Sequence, residues 1–116
     1  MPSELMGSFG MPVKLEPLLS DLRSEPNDLY GDRLIQLVLY GSQVRGAVHK
    51  ESDVDVPMVL GGPIEPGEEI RRVGPVRTRV GLRHEQAVSL LPVSGTDYEN
   101  RASAWLQNVR EEGHAI

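Results

Sequence analysis

Cysteine is missing from this chain altogether. That rules out a disulfide framework and any metal site built on thiolates. Basic residues are in the minority. Twelve Lys and Arg stand against 17 Asp and Glu, a formal net charge of −5, which argues against broad adhesion to nucleic-acid backbones. No apolar run approaches the roughly 18 residues of a membrane span, so no membrane partner is expected. The opening stretch Met1–Pro12 has no basic start followed by an apolar segment. It does not read as a signal peptide, and a cytoplasmic protein is the default expectation. What remains is 116 residues with 39% hydrophobic and 25% charged content, the profile of one globular domain with one modest core. There is little room for a separate substrate domain, so a larger ligand site would require a partner chain or a second copy in a homo-oligomer.

Residues 1–12, rich in Gly, Ser, Pro and Met, are expected to be a flexible lead-in to a single domain over 13–116. Leu15, Leu18, Leu19 and Leu22 recur with the spacing of an amphipathic helix. Pro17 is tolerated in its first turn, and Gly31 is a plausible stop. Leu34–Tyr40 is nearly all apolar and too short for a full helix, which predicts a buried strand. It ends at Gly41-Ser42, and Gln43–Val48 then suits a short helix or turn. Val54–Leu60 predicts a second strand, closed by Gly61-Gly62-Pro63, with Pro57 marking an edge or a local irregularity. A helix is expected from Pro66 to Val73, with Glu68 and Glu69 in its first turn. Gly74-Pro75 should break or kink it, and Val76–Arg83 would form a second piece. Ala87–Val93 predicts a third strand. Thr96-Asp97-Tyr98-Glu99 has the form of a capping box, leading into a helix with a stripe at Ala102, Leu106 and Val109 that Gly113 can end. The pattern is that of a small α/β or α+β domain with one sheet and flanking helices.

The chemistry concentrates between Leu37 and Leu60. Asp53 and Asp55 are two residues apart at a strand start, and alternate strand residues share a face, so both carboxylates can converge on one point. Hard oxygen donors in this arrangement suit Mg²⁺ or Mn²⁺, and such a pair can hold metals that clamp a triphosphate. Upstream, Gly41 ends a buried strand and lets phosphate approach the backbone. Ser42 can cap the following turn and donate its hydroxyl to a phosphate oxygen. Arg45 can contact phosphate through its planar fork or pair with an acid to hold the loop.

Gly41-Ser42…Arg45-Gly46 followed by Ser52-Asp53-Val54-Asp55 resembles the signature of the DNA polymerase beta-like nucleotidyltransferase superfamily. Within it the short chain looks like the minimal nucleotidyltransferases, the MNT partners of HEPN–MNT toxin–antitoxin pairs. Tyr30-Gly31-Asp32-Arg33-Leu34, Leu90-Leu91-Pro92-Val93 and Asn108-Val109-Arg110-Glu111-Glu112-Gly113 are similar to stretches of such proteins. The resemblance implies a nucleotidyltransferase fold with a small mixed sheet. It implies that Gly41 and Ser42 contact nucleotide phosphates and that Asp53 and Asp55 bind divalent metal. The substrate would be a nucleoside triphosphate, ATP by default, and the acceptor a hydroxyl, plausibly on a HEPN-type toxin. Active members carry a third carboxylate on a later strand. Here Val88-Ser89-Leu90-Leu91 places Ser89 where that acid is expected, and Glu85 lies before the strand. Serine is a poor Mg²⁺ ligand and a weak base.

Plainer readings compete. Asp53 and Asp55 can be a solvated strand end. Arg71, Arg72, Arg77, Arg79 and Arg83 read first as a solvated helix face and second as a patch for phosphate or an acidic partner. His49, His84 and His114 show no metal-ligand spacing and are expected at the surface. Trp105 is expected to pack in the core or against a partner rather than stack on a base. Two functions follow from different classes: a nucleotidyltransferase, and an antitoxin-like binding module in which nucleotide binding is regulatory or vestigial. An inert structural domain leaves the Gly41–Asp55 constellation unexplained.

Overall fold

A computed structural model describes residues 15–40 and 53–116. The expectations for residues 1–12, Gly41, Ser42, Gln43–Val48, Arg45 and His49 fall outside these. Helix α1 spans Leu15–Tyr30, with Leu18, Leu22, Pro26 and Tyr30 buried along one side. It stops where Gly31 adopts φ +57°, a conformation glycine adopts without steric cost, and a 3₁₀ turn over Gly31–Arg33 leads into the sheet. The strands are β1 (Leu34–Leu39), β2 (Val54–Leu60), β3 (Val88–Ser94) and β4 (His114–Ala115). Their order in the sheet is β3-β2-β1-β4. β2 and β3 are parallel, joined through the long helix α2 (Pro66–His84), while β1 is antiparallel to both its neighbours.

Alternation along β2 divides the sheet into two faces. Val54, Val56, Met58 and Leu60 join Leu37, Leu39, Val88 and Leu90 in the main core, which α1 fills with Leu18 and Leu22 and α2 with Val73, Val76 and Val80. An ionic row ties the two helices together. Arg79 meets Glu25 at 2.6 Å, and Arg83 meets Asp21 at 2.8 Å and Glu25 at 3.0 Å. His84 Nε2 lies 2.7 Å from Asp21. The opposite face carries Asp55, Pro57 and Val59, and on this side of the molecule α3 (Gly95–Asn100) and α4 (Ala104–Glu112) follow β3.

Several sequence expectations are corrected. β2 is central, so Pro57 does not mark an edge; it sits opposite Leu91 in the parallel ladder and marks the local irregularity that is the other expectation. Its cost appears on the other side. Pairing with β1 runs from Leu34↔Leu60 to Leu37↔Met58 and resumes only at Tyr40↔Asp55. Hydrogen-bonded pairs alternate in an antiparallel ladder, so Val38–Pro57 would be the next after Tyr40–Asp55, and proline has no N–H to give. β4 pairs with Val38 and Leu39 at this same place.

Gly74-Pro75 does not divide α2, which runs unbroken for 19 residues. Pro75 is on the exposed side, while Val73, Val76 and Val80 form one buried stripe. Tertiary packing therefore outweighs the lost hydrogen bond. The cap of α3 is Ser94, whose hydroxyl accepts from the Asp97 N–H at 3.1 Å, rather than the expected Thr96. Arg101 at φ 48° separates α3 from α4, and Ser103 caps the latter, leaving Ala102 outside any helix. Gly113 ends α4 as expected, its N–H donating to Val109 O at 2.8 Å. A side chain there would come within 2.6 Å of that same carbonyl and press on Val38.

Candidate active site

The site-facing end of the sheet is assembled by backbone pairing. The Tyr40 N–H donates to Asp55 O at 2.9 Å, and the Val54 N–H to Ala87 O at 2.8 Å. β1 thus delivers Tyr40, the residue before Gly41-Ser42, directly against Asp55. On the other side, the parallel register sets Ser89 opposite Asp55, on the same face and about 5 Å away, one strand spacing.

Asp53 is exposed just ahead of β2, and Asp55 is half-buried on its first turn of pleat. Their two-residue spacing gives them a common face. Burial pushes the Asp55 carboxyl above the ordinary aspartate range, and the neighbouring Asp53 charge pushes it further. Two carboxylates that feel each other in this way present hard oxygen donors to one small volume and are relieved of mutual repulsion by a divalent cation. The donor set fits Mg²⁺ or Mn²⁺. Among the described residues, no group of three or more His, Cys, Asp or Glu is placed to hold a metal. Glu85 is the exposed C-cap of α2 at φ 51°, four residues before Ser89 and off the strand.

The arginines are divided by the fold. Arg79 and Arg83 are engaged by α1, so two of the five tie elements together, while Arg72 pairs within α2 with Glu69 at 3.3 Å. His84, expected at the surface, is largely covered and held by Asp21. Glu69 is 3% exposed. It is also met by Arg33 at 3.2 Å and by the Tyr30 hydroxyl at 3.0 Å. Arg33 in turn donates to Gly61 O at 3.3 Å, so this cluster braces the loop between β2 and α2.

Sequence reasoning placed Trp105 in packing. The indole is 38% exposed and meets the Tyr40 ring edge-to-face at 6.4 Å and 88°. With Asp55 and Ser89 it lines an open groove of about 520 Å³, whose other walls include Ile70, Leu91 and Pro92. The only sequence signal for this was the offset of Trp105 from the buried positions Leu106 and Val109, which is weak without a known neighbour.

The described architecture is a mixed sheet with flanking helices and a carboxylate pair at the head of a central strand, an arrangement consistent with the nucleotidyltransferase fold. The family model for the nucleotidyltransferase domain matches residues 19–94. The chain belongs to that family, whose chemistry is nucleotidyl transfer. The match takes in Asp53, Asp55 and Ser89 and stops before α3. Comparison with curated proteins and with solved structures gives no match.

Proposed function

We propose that the chain is a divalent-metal-dependent nucleotidyltransferase that moves a nucleoside monophosphate from a nucleoside triphosphate, ATP by default, to an acceptor hydroxyl, which loses its proton as the α–β phosphoanhydride bond breaks and pyrophosphate leaves. The observation that carries the reading is the convergence of Asp53 and Asp55 on one face where Tyr40 delivers the chain to Gly41-Ser42. In this reading Asp53 and Asp55 hold Mg²⁺ or Mn²⁺, and Gly41, Ser42 and Arg45 hold the phosphates. When bound, the cation neutralises the carboxylates and the phosphate oxygens and supports an in-line displacement. The acceptor class we name is a hydroxyl on a HEPN-type toxin partner.

A second reading is favoured by one observation, the register of Ser89 beside Asp55. Serine supplies neither a strong metal ligand nor a base at neutral pH. In that reading the chain is an antitoxin-like binding module that retains nucleotide binding with little turnover.

Incubation with labelled ATP, Mg²⁺ and a HEPN-type partner separates the two. Label transferred to the partner, and lost in Asp55→Asn, supports the enzyme. If binding persists without transfer, Ser89→Asp should raise transfer while leaving the fold intact. Efficient wild-type transfer abolished by Glu85→Gln would instead make Glu85 the third acid, and robust transfer indifferent to both changes would mean that two carboxylates suffice.

A further inference from the structure

Three half-exposed apolar features meet beside Asp55 and are not used by the phosphate and metal reading. Trp105 is 38% exposed and Ile70 50% exposed, and Leu91 is half-buried on the strand that carries Ser89. α4 buries Leu106 and Val109, yet its indole is turned to the groove. Tyr40 lies between the indole and the backbone of Asp55, since its N–H donates to the Asp55 main-chain carbonyl and its ring meets Trp105. The groove has one polar end, at Asp55 and Ser89, and apolar walls elsewhere. Its volume of about 520 Å³ lies within the range of small-ligand clefts.

We propose that this groove receives the nucleobase of the nucleoside triphosphate and that Trp105 is its stacking platform, a residue that favours nucleotides over bare polyphosphate. The inference rests on the reading of Asp53 and Asp55 as the phosphate and metal end of the same site. A ligand anchored by its phosphates there has its apolar, planar end next to the only tryptophan of the chain. Trp105 lies beyond the residues that the family match covers, so this platform belongs to the part of the chain that follows the shared domain. The apolar walls offer stacking and dispersion but few donors or acceptors to read a base edge. The site therefore binds bases with little discrimination, because every base has a π-face.

A single tryptophan makes the test direct. The full chain is titrated in Mg²⁺ with ATP and, separately, with tripolyphosphate, following both heat and tryptophan fluorescence. ATP should bind about tenfold more tightly than tripolyphosphate and should quench the indole, whereas tripolyphosphate should bind without quenching. Trp105→Ala should bring ATP down to the level of tripolyphosphate and leave tripolyphosphate unchanged, and Trp105→Phe should recover most of the difference. Ile70→Ser, at an exposed wall position, should lower the preference for ATP severalfold and guards against a folding defect in the Trp105 variants. ATP, GTP, CTP and UTP should fall within about tenfold of one another. Equal binding of ATP and tripolyphosphate without quenching overturns the base site alone. An unchanged ATP preference in Trp105→Ala and Ile70→Ser does the same, as does quenching by a protein acceptor but by no nucleotide. If neither phosphate compound binds in Mg²⁺, the carboxylate reading itself fails and this proposal falls with it.

Discussion

Tyr30 and Glu69 show how a buried charge is kept at tolerable cost. Burial and the neighbouring Glu69 push the Tyr30 phenol up to about 12, so it stays protonated and donates to the carboxylate. Arg33 and Arg72 supply the compensating charge. Tyr30→Phe removes one donor and leaves both ion pairs, so it should cost about 1 kcal/mol in urea unfolding. A loss near zero would mean that the arginines alone satisfy Glu69. At the candidate site the balance is reversed, because the Asp53 charge acts against ionisation of Asp55 with no compensating arginine among the causes of its shift. Asp53→Asn should weaken Mg²⁺-dependent ATP binding by tenfold or more, and a chelator should abolish wild-type binding. Calorimetry showing equal ATP affinity with chelator present would contradict this. The carboxylate pair was legible in the sequence because a two-residue spacing at a strand start has one geometric meaning. The placement of Trp105 was not, since it depends on Tyr40 and Leu91, which lie far away in sequence.

Among the elements, the α1–α2 contact is one that acid should weaken. Asp21 is held below the ordinary carboxylate range first by His84 and then by Arg83, and Glu25 first by Arg79 and then by Arg83. A carboxyl with a lowered folded pKa contributes stability above its unfolded value, near pH 4, and that contribution is lost as pH falls through the folded value. The melting temperature of the wild type should therefore fall more steeply below about pH 4 than that of the Asp21→Asn/Glu25→Gln double variant. Parallel curves would show that the ion pairs are screened. Helix α2 also explains a limit of reading by pattern. Gly74-Pro75 is a sound local stop signal, but the stripe Val73, Val76 and Val80 continues across it, and burial of that stripe decides the outcome. Pro75→Ala should then stabilise the protein by about 1–3 kcal/mol, and a destabilisation would show that the proline shapes the helix to the sheet. The α3 cap was misplaced for a related reason. Ser94 and Thr96 are both competent caps, and only the end of β3 determines which one is used. The three longer strands were legible from their apolar runs, while β4, two residues long, has no pattern to read.

Across the whole molecule the sheet is continuous in order but not in hydrogen bonding. β1 is fastened to β2 at one end by Leu34–Leu37 and at the other by the single Tyr40–Asp55 bridge, with the proline gap between. In that gap β1 relies on β4 and on the Ile116 N–H donating to Leu37 O at 3.0 Å. One end of the sheet can consequently come unbuttoned while the other stays closed, an opening of lower free energy than global unfolding. The Tyr40 amide should exchange with deuterium well before the amides of the Leu37–Met58 end. Pro57→Val, which returns the missing donor without changing the apolar character of the position, should slow that exchange. Equal protection at both ends in the wild type would mean that β4 alone makes the seam rigid. If the seam opens as expected, the two aspartates sit on a part of the sheet whose looseness is set by a proline and by the last residues of the chain. Deleting His114–Ile116 should then relax the end of the sheet that carries Asp55 before it lowers the melting temperature of the rest, making three residues remote in sequence a control on how firmly Asp55 is held.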